Sequence, residues 1–181
     1  MYSYVGKTRL LPDDERLKER KRAVKNLKEV AQYAGDHGVK LALEPLNRFE
    51  IDMINTVDQG LELLDEIDSP HAGFLLDSFH MHIEEKSTPD AIRRAGDKVF
   101  HFHSCENDRG VPGSGQVDWV GIRQALQDID YQGAMVIEAF TRELKAIARA
   151  VSLWRPVAPD QDTIASEGLA FLQSFFGKDD N

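Results

Sequence analysis

The sequence predicts an α/β fold built on a parallel four-stranded sheet, and three observations carry that prediction. Short apolar runs of strand length alternate with stretches of helical periodicity along the chain. Helical crossovers separate the runs, which is the connection that parallel strands require. The four runs end in Glu44, Asp77, His103 and Glu138, each a side chain capable of acid–base or metal chemistry.

The elements follow in order. Residues 1–12 show no clear element. Asp13 to His37 reads as a long helix, with Leu17, Val24, Leu27, Ala31 and Ala34 forming one apolar stripe. Asp13, Asp14 and Glu15 suit the positive end of its dipole, and Gly38 is the expected stop. Val39 to Glu44 is the first strand, closed by Pro45. Thr56-Val-Asp-Gln59 has the pattern of a capping box and opens a helix to Ile67. After the Ser69-Pro70 turn comes the second strand, Ala72 to Asp77. Thr88 is the expected N-cap of a short helix to Ala95, with Pro89 in its first turn. Val99 to His103 is the third strand, in which His101 and His103 share one face and Phe100 and Phe102 the other. A glycine-rich loop, Gly110 to Gly115, leads to a helix capped by Asp118 that runs to Asp128. In that helix Val120, Ile122, Ala125, Leu126 and Ile129 are expected mostly inward. Ala134 to Glu138 is the fourth strand, and helices near 141–153 and 161–176 finish the chain.

Repeating units of about 25 to 35 residues are the size of the β/α units of a TIM barrel. A complete barrel needs eight strands and at least roughly 200 residues. The 181 residues here supply four strands, so the prediction is a single domain equivalent to the C-terminal half of a (β/α)8 barrel, without the N-terminal half. Such a half leaves two open edges and a bare inner face. A longer chain supplying the other half, or a homo-oligomer of half-barrels, would cover them.

Composition narrows the function classes. Hydrophobic residues make up 41% and charged residues 29% of the chain, which fits one packed core. A net charge of −9 argues against a nucleic-acid partner and suits a neutral small molecule better than a polyanion. The lone Cys105 cannot form an internal disulfide and points to a reducing, cytoplasmic setting. No run of about 18 apolar residues is present for a membrane span. Met1 to Gly6 lacks the charged and apolar regions of a signal peptide.

The ends of parallel strands lie on one side of a sheet, so Glu44, Asp77, His103 and Glu138 are expected to converge. Ala42, Leu75, His101 and Val136 share their face. Three carboxylates and one imidazole form an oxygen-rich set, suited to octahedral Mn²⁺, Co²⁺ or Mg²⁺ more than to a tetrahedral structural zinc. The bland alternative is four polar caps at strand ends.

Several spaced motifs add a resemblance. Glu44-Pro-Leu-Asn-Arg-Phe-Glu50, Asp77-Ser-Phe-His80, His103-Ser-Cys-Glu-Asn-Asp-Arg109, Val111-Pro-Gly-Ser-Gly-Gln-Val-Asp-Trp119 and Glu138-Ala-Phe140 resemble the sugar isomerase/epimerase superfamily of xylose-isomerase-like barrels. They look most like its ketose 3-epimerase branch, which acts on D-tagatose and D-psicose. The steps from 44 to 77, 77 to 103 and 103 to 138 match that branch too. The resemblance implies a metal held by Glu44, Asp77, His103 and Glu138, and substrate-binding roles for Glu50, His80 and Arg109. It also implies that Glu44 and Glu138 act as paired acid and base on opposite faces of a sugar. The expected enzyme is thus an isomerase that epimerises ketohexoses at C3 through a metal-stabilised enediolate. Aldose–ketose isomerisation of the hydroxypyruvate type, inosose dehydration and an inactive partial barrel are the alternatives.

Bland readings stand beside the others. Arg109 as a surface arginine would pair with Glu106 or Asp108, and His80 would cap the next helix from a loop. Glu50 alone would be an exposed loop carboxylate. His101 reads as a hydrogen-bonded core histidine, His71 and His82 as surface residues, and Cys105 as a pocket wall. Gly113-Ser-Gly115 lacks a following Lys-Ser/Thr, so it reads as a flexible turn, not a phosphate loop.

Overall fold

A computed structural model describes residues 11–177. The sequence readings for Met1 to Gly6, and for residues 1–10 of the lead-in, lie outside the described residues. Four strands, β1 (Leu41–Leu43), β2 (Ala72–Asp77), β3 (Val99–His103) and β4 (Met135–Val136), form one sheet in the order β1-β2-β3-β4. Every neighbouring pair is parallel. Leu43 lies opposite Phe74, Asp77 opposite His103, and His103 opposite Val136, so β2, β3 and β4 end level while β1 stops three positions short of the end of β2.

Helix α1 (Asp13–Asp36) precedes β1, and α2 (Val57–Ile67) carries the chain to β2. Next come α3 (Ser78–Glu84) and α4 (Thr88–Ala95), followed by a 3₁₀ turn at Gly96–Lys98 before β3. Helix α5 (Trp119–Asp128) leads to β4, and α6 (Lys145–Ala150) and α7 (Gln161–Phe176) close the described chain. Gly38 ends α1 as expected. It sits at φ +69°, a conformation that costs glycine least, while Val39 N donates to Ala34 O at 2.8 Å. The Thr56 capping box forms on both sides: Gln59 N donates to Thr56 Oγ1, and Gln59 Oε1 accepts from Thr56 N.

One face of the sheet is packed and the other is not. Phe74, Leu76 and Phe102 are fully buried in one cluster with Leu63 and Ile67 of α2, Ile92 of α4 and Ile122 of α5. Burying each such side chain stabilises the fold by about 1.5–3 kcal/mol. On the opposite face Ala42 and Val136 are exposed, and Leu75 and His101 are half-buried. The bare inner face expected of a partial barrel is therefore present in the described residues.

Gly60 shows how closely α2 approaches that core. A Cβ at this position would collide with the Phe74 ring, meeting its Cε1 and lying 2.8 Å from its Cζ. Overpacking outweighs the gain in helix propensity here. Gly60→Ala is expected to lower stability by about 1–3 kcal/mol, read from urea unfolding midpoints.

Several element boundaries differ from the sequence expectation. The first strand shrinks from 39–44 to Leu41–Leu43, leaving Val39 exposed, and the fourth shrinks to Met135–Val136. Helix 141–153 shrinks to Lys145–Ala150, because Thr141 Oγ1 accepts from Glu143 N in a preceding turn. Ser87, not Thr88, is the N-cap of α4, accepting from Asp90 N, so Pro89 sits one place deeper in the first turn. In α1 Leu17 is exposed and Ala23 takes an inward position beside Leu27 and Ala31. Val120 is also exposed; Trp119 turns inward instead. Helix α3 was not expected at all. The Asp77 carboxylate ends β2 and also caps α3, accepting from Phe79 N at 2.8 Å.

Candidate metal centre

The C-terminal ends of β2 and β3, and the residues just past β1 and β4, bring four side chains to one point. One ligand atom each from Glu44, Asp77, His103 and Glu138 lies within 4.8 Å of all the others. His103 Nδ1 is 3.9 Å from Glu44 Oε1, 3.8 Å from Asp77 Oδ2 and 3.7 Å from Glu138 Oε2. No pair is in hydrogen-bonding contact at those distances, and the spacing leaves room for a small ion between them. Glu44 Oε1 and His103 Nδ1 are buried polar atoms without a protein partner. Two orphaned polar atoms close to one space, in a set of three carboxylates and an imidazole, fit a divalent cation.

The electrostatics follow from this crowding. Burial pushes Glu44 up to about 7, with Asp77 and Glu138 adding to the rise. Burial works against the His103 cation, yet the nearby Asp77 and Glu138 carboxylates raise it to about 9. Burial also works against Asp77, but His103 and Arg109 hold it well below the usual carboxylate range. Burial drives His80 down to about 4 and keeps it neutral. The Cys105 thiol is pushed up by burial and then by Asp77; its Sγ donates to Glu138 O, as befits a wall of the site.

Helix α3 and two loops build the surroundings. Arg109, expected at the surface on its bland reading, is buried. Its NH1 donates to Asp77 Oδ2 at 2.7 Å and to Glu138 Oε2 at 3.0 Å, and its NH2 lies 3.1 Å from His80 Nε2. The guanidinium stacks between Phe79 and Phe140, 4.0 and 5.2 Å from their ring centres. His80 sits on α3, not in a loop, and is buried one turn past Asp77. Glu50 is half-buried, and its Oε1 accepts from Asn47 Nδ2 at 2.8 Å. Asn47 was missed by sequence reasoning. It is buried, and its backbone N–H donates to His80 Nδ1 at 3.1 Å, linking Glu50 to His80. Its place between Pro45 and Glu50 in the first motif was the available signal. His101 stays outside the four-residue set. It is half-buried and edge-on to His103 at 5.2 Å, which is not the core position expected of it. His82 is exposed as expected, whereas His71 is half-buried and packs over Gly35.

Glu106 was also missed as a functional residue, and it does not pair with Arg109. It is fully buried. Oε1 accepts from Asn107 N at 3.1 Å and Val117 N at 2.9 Å, and Oε2 accepts from Gly113 N and Trp119 Nε1, both at 2.9 Å. The glycine segment is therefore pinned, which corrects its reading as a flexible turn. Gly113 adopts φ +88°, and a Cβ on Gly115 would lie 2.7 Å from Glu106 Oε1. Burial disfavours the Glu106 charge, but the four donors hold its pKa below the ordinary 4.5. A depressed folded-state value adds stability above 4.5 that is lost as pH falls through the folded value. The melting-temperature gap between the natural chain and Glu106→Gln should accordingly narrow as pH drops below 4.5.

Comparison with known proteins places this arrangement. The family described as xylose isomerase-like TIM barrel matches residues 4–175. The chain belongs to that family. It is 46% identical over 159 residues to a probable ketose 3-epimerase of Synechocystis, covering 88% of this chain and 55% of that protein. It is 41% identical over 182 residues to D-psicose 3-epimerase of Enterocloster bolteae, covering 98% and 60%. The crystal structure of Methylomonas D-allulose 3-epimerase in complex with D-allulose superposes with a TM-score of 0.87 at 34% identity, covering 96% and 60%. The chain thus spans little more than half the length of these relatives, and its four parallel strands correspond to part of their barrel. Among the described residues no helix is long and apolar enough to cross a membrane.

Proposed function

We propose that the chain carries the catalytic centre of a metal-dependent ketose 3-epimerase and acts on a ketohexose at C3. The convergence of Glu44, Asp77, His103 and Glu138 within 4.8 Å carries this reading. Its likeness to D-psicose and L-ribulose 3-epimerases supports it. The four residues would hold Mn²⁺ or Co²⁺, with Mg²⁺ as the third candidate. Bound there, a divalent ion supplies Lewis-acid stabilisation of charge developing on adjacent sugar oxygens.

The remaining chemistry belongs to the chain. One of Glu44 and Glu138 takes the C3 proton as a carboxylate, and the C–H electron pair moves toward the C2 carbonyl oxygen. The other, as a carboxylic acid, returns a proton to the opposite face of C3 and inverts the centre. His80 and Arg109 orient the sugar oxygens, with Arg109 donating to a developing oxyanion. Glu50 accepts from a sugar hydroxyl. In this reading residues 1–181 act as one domain in the cytoplasm, without nucleic-acid or membrane partners.

Incubation with D-fructose, D-psicose or D-tagatose in D₂O with Mn²⁺ tests the reaction. Deuterium at C3 of the product is the expected result. Label confined to C1 or C2 would assign isomerisation instead. Metal binding with no label in any sugar would reject the reading for this chain.

A further inference from the structure

The buried Glu106 carboxylate has no place in the mechanism above, and its geometry points at Arg109. The chain leaves Glu106 and turns tightly, with Arg109 N donating to Glu106 O at 2.9 Å. It then comes back to the Glu106 side chain at Gly113, Val117 and Trp119. Asn107 closes the same loop by accepting from Gln116 N at 2.8 Å. Arg109 therefore sits inside a loop fastened to one residue at both ends. It also adopts φ +66°, a left-handed conformation that non-glycine residues disfavour unless their surroundings impose it. Its guanidinium occupies the same oxygens, Asp77 Oδ2 and Glu138 Oε2, that face His103.

We infer that Glu106 is a positioning residue, whose carboxylate holds the 107–119 loop in the shape that presents Arg109 to the strand-end cluster. The two oxygens each take two donors, so a Gln amide in their place would point its own N–H groups at N–H groups. The loop would open and Arg109 would leave the cluster. A guanidinium on two carboxylates competes with a cation for them, so releasing it should tighten cation binding.

Two measurements on the 181-residue chain test this, with Glu106→Gln and the milder Trp119→Phe, which removes one donor. By hydrogen exchange, amides in 107–117 should exchange at least ~10-fold faster in Glu106→Gln, with a smaller rise in Trp119→Phe. Strands β2 and β3 should remain protected in both. Unchanged loop exchange, or equal loosening of the whole sheet, would overturn the inference.

By calorimetry, Glu106→Gln should bind Mn²⁺ about 3- to 10-fold tighter, and this gain should vanish in an Arg109→Ala background. Weaker binding in both backgrounds would mean that Glu106 serves only the general fold. The affinity arm rests on the metal reading proposed above. If the natural chain binds no Mn²⁺, that reading fails, and the exchange arm still decides the role of Glu106.

Discussion

Replacing Glu138 by Gln should lower deuterium exchange at C3 of a ketohexose by about 10²–10⁴-fold, the usual contribution of a positioned acid or base. Glu44→Gln should do the same. Neither change removes bulk, and an amide oxygen still ligates hard cations, so Mn²⁺ binding should weaken by less than the chemistry does. Comparing single-turnover exchange at saturating Mn²⁺ with calorimetric affinity separates the two effects. The two variants also differ informatively. If Glu44 and Glu138 serve opposite faces of C3, each variant should impair exchange from one epimer more than from the other. Equal and small losses from both epimers would remove these carboxylates from the proton-transfer step.

Arg109→Met should destabilise the metal-free protein and leave it more dependent on a cation. Arg109 neutralises Asp77 and Glu138 from a buried position, with contacts of 2.7 and 3.0 Å. Removing one partner of a buried pair typically costs about 3–5 kcal/mol. Glu138 and Glu44 retain some contact with water, so about 2–4 kcal/mol is expected here. A cation at the same oxygens supplies the missing positive charge. Mn²⁺ at about 100 times its Kd stabilises any binding-competent fold by about 2.7 kcal/mol, and a lower Kd in the variant enlarges that term. Chemical denaturation with and without Mn²⁺ reads both quantities. The gap between variant and natural chain should be largest without metal and should narrow with it. An unchanged gap would show that Arg109 and the cation do not share those carboxylates.

Much of the site was legible in the sequence because it depends on strand ends. Side chains alternate along a strand, and parallel strands end on one side, so Glu44, Asp77, His103 and Glu138 were placed together by pattern alone. Arg109, His80 and Glu50 came from motif resemblance, and the structure puts Arg109 and His80 against the cluster and joins Glu50 to it through Asn47. Helix α3 was hidden for a local reason. A seven-residue helix is too short for a periodic stripe, and the Asp77 that caps it was already read as the end of a strand.

What the sequence determined by itself was the order of the strands and of the helices other than α3, the parallel sheet and the residues at its rim, because periodicity and crossover length are local properties of the chain. Only the tertiary structure decided which polar groups pair. Whether Glu106 meets Arg109 or four N–H donors, and whether a glycine segment is loose or pinned, depends on where the chain comes back in space. Burial then sets the outcome, because a buried carboxylate must find donors wherever the fold brings them, regardless of sequence distance.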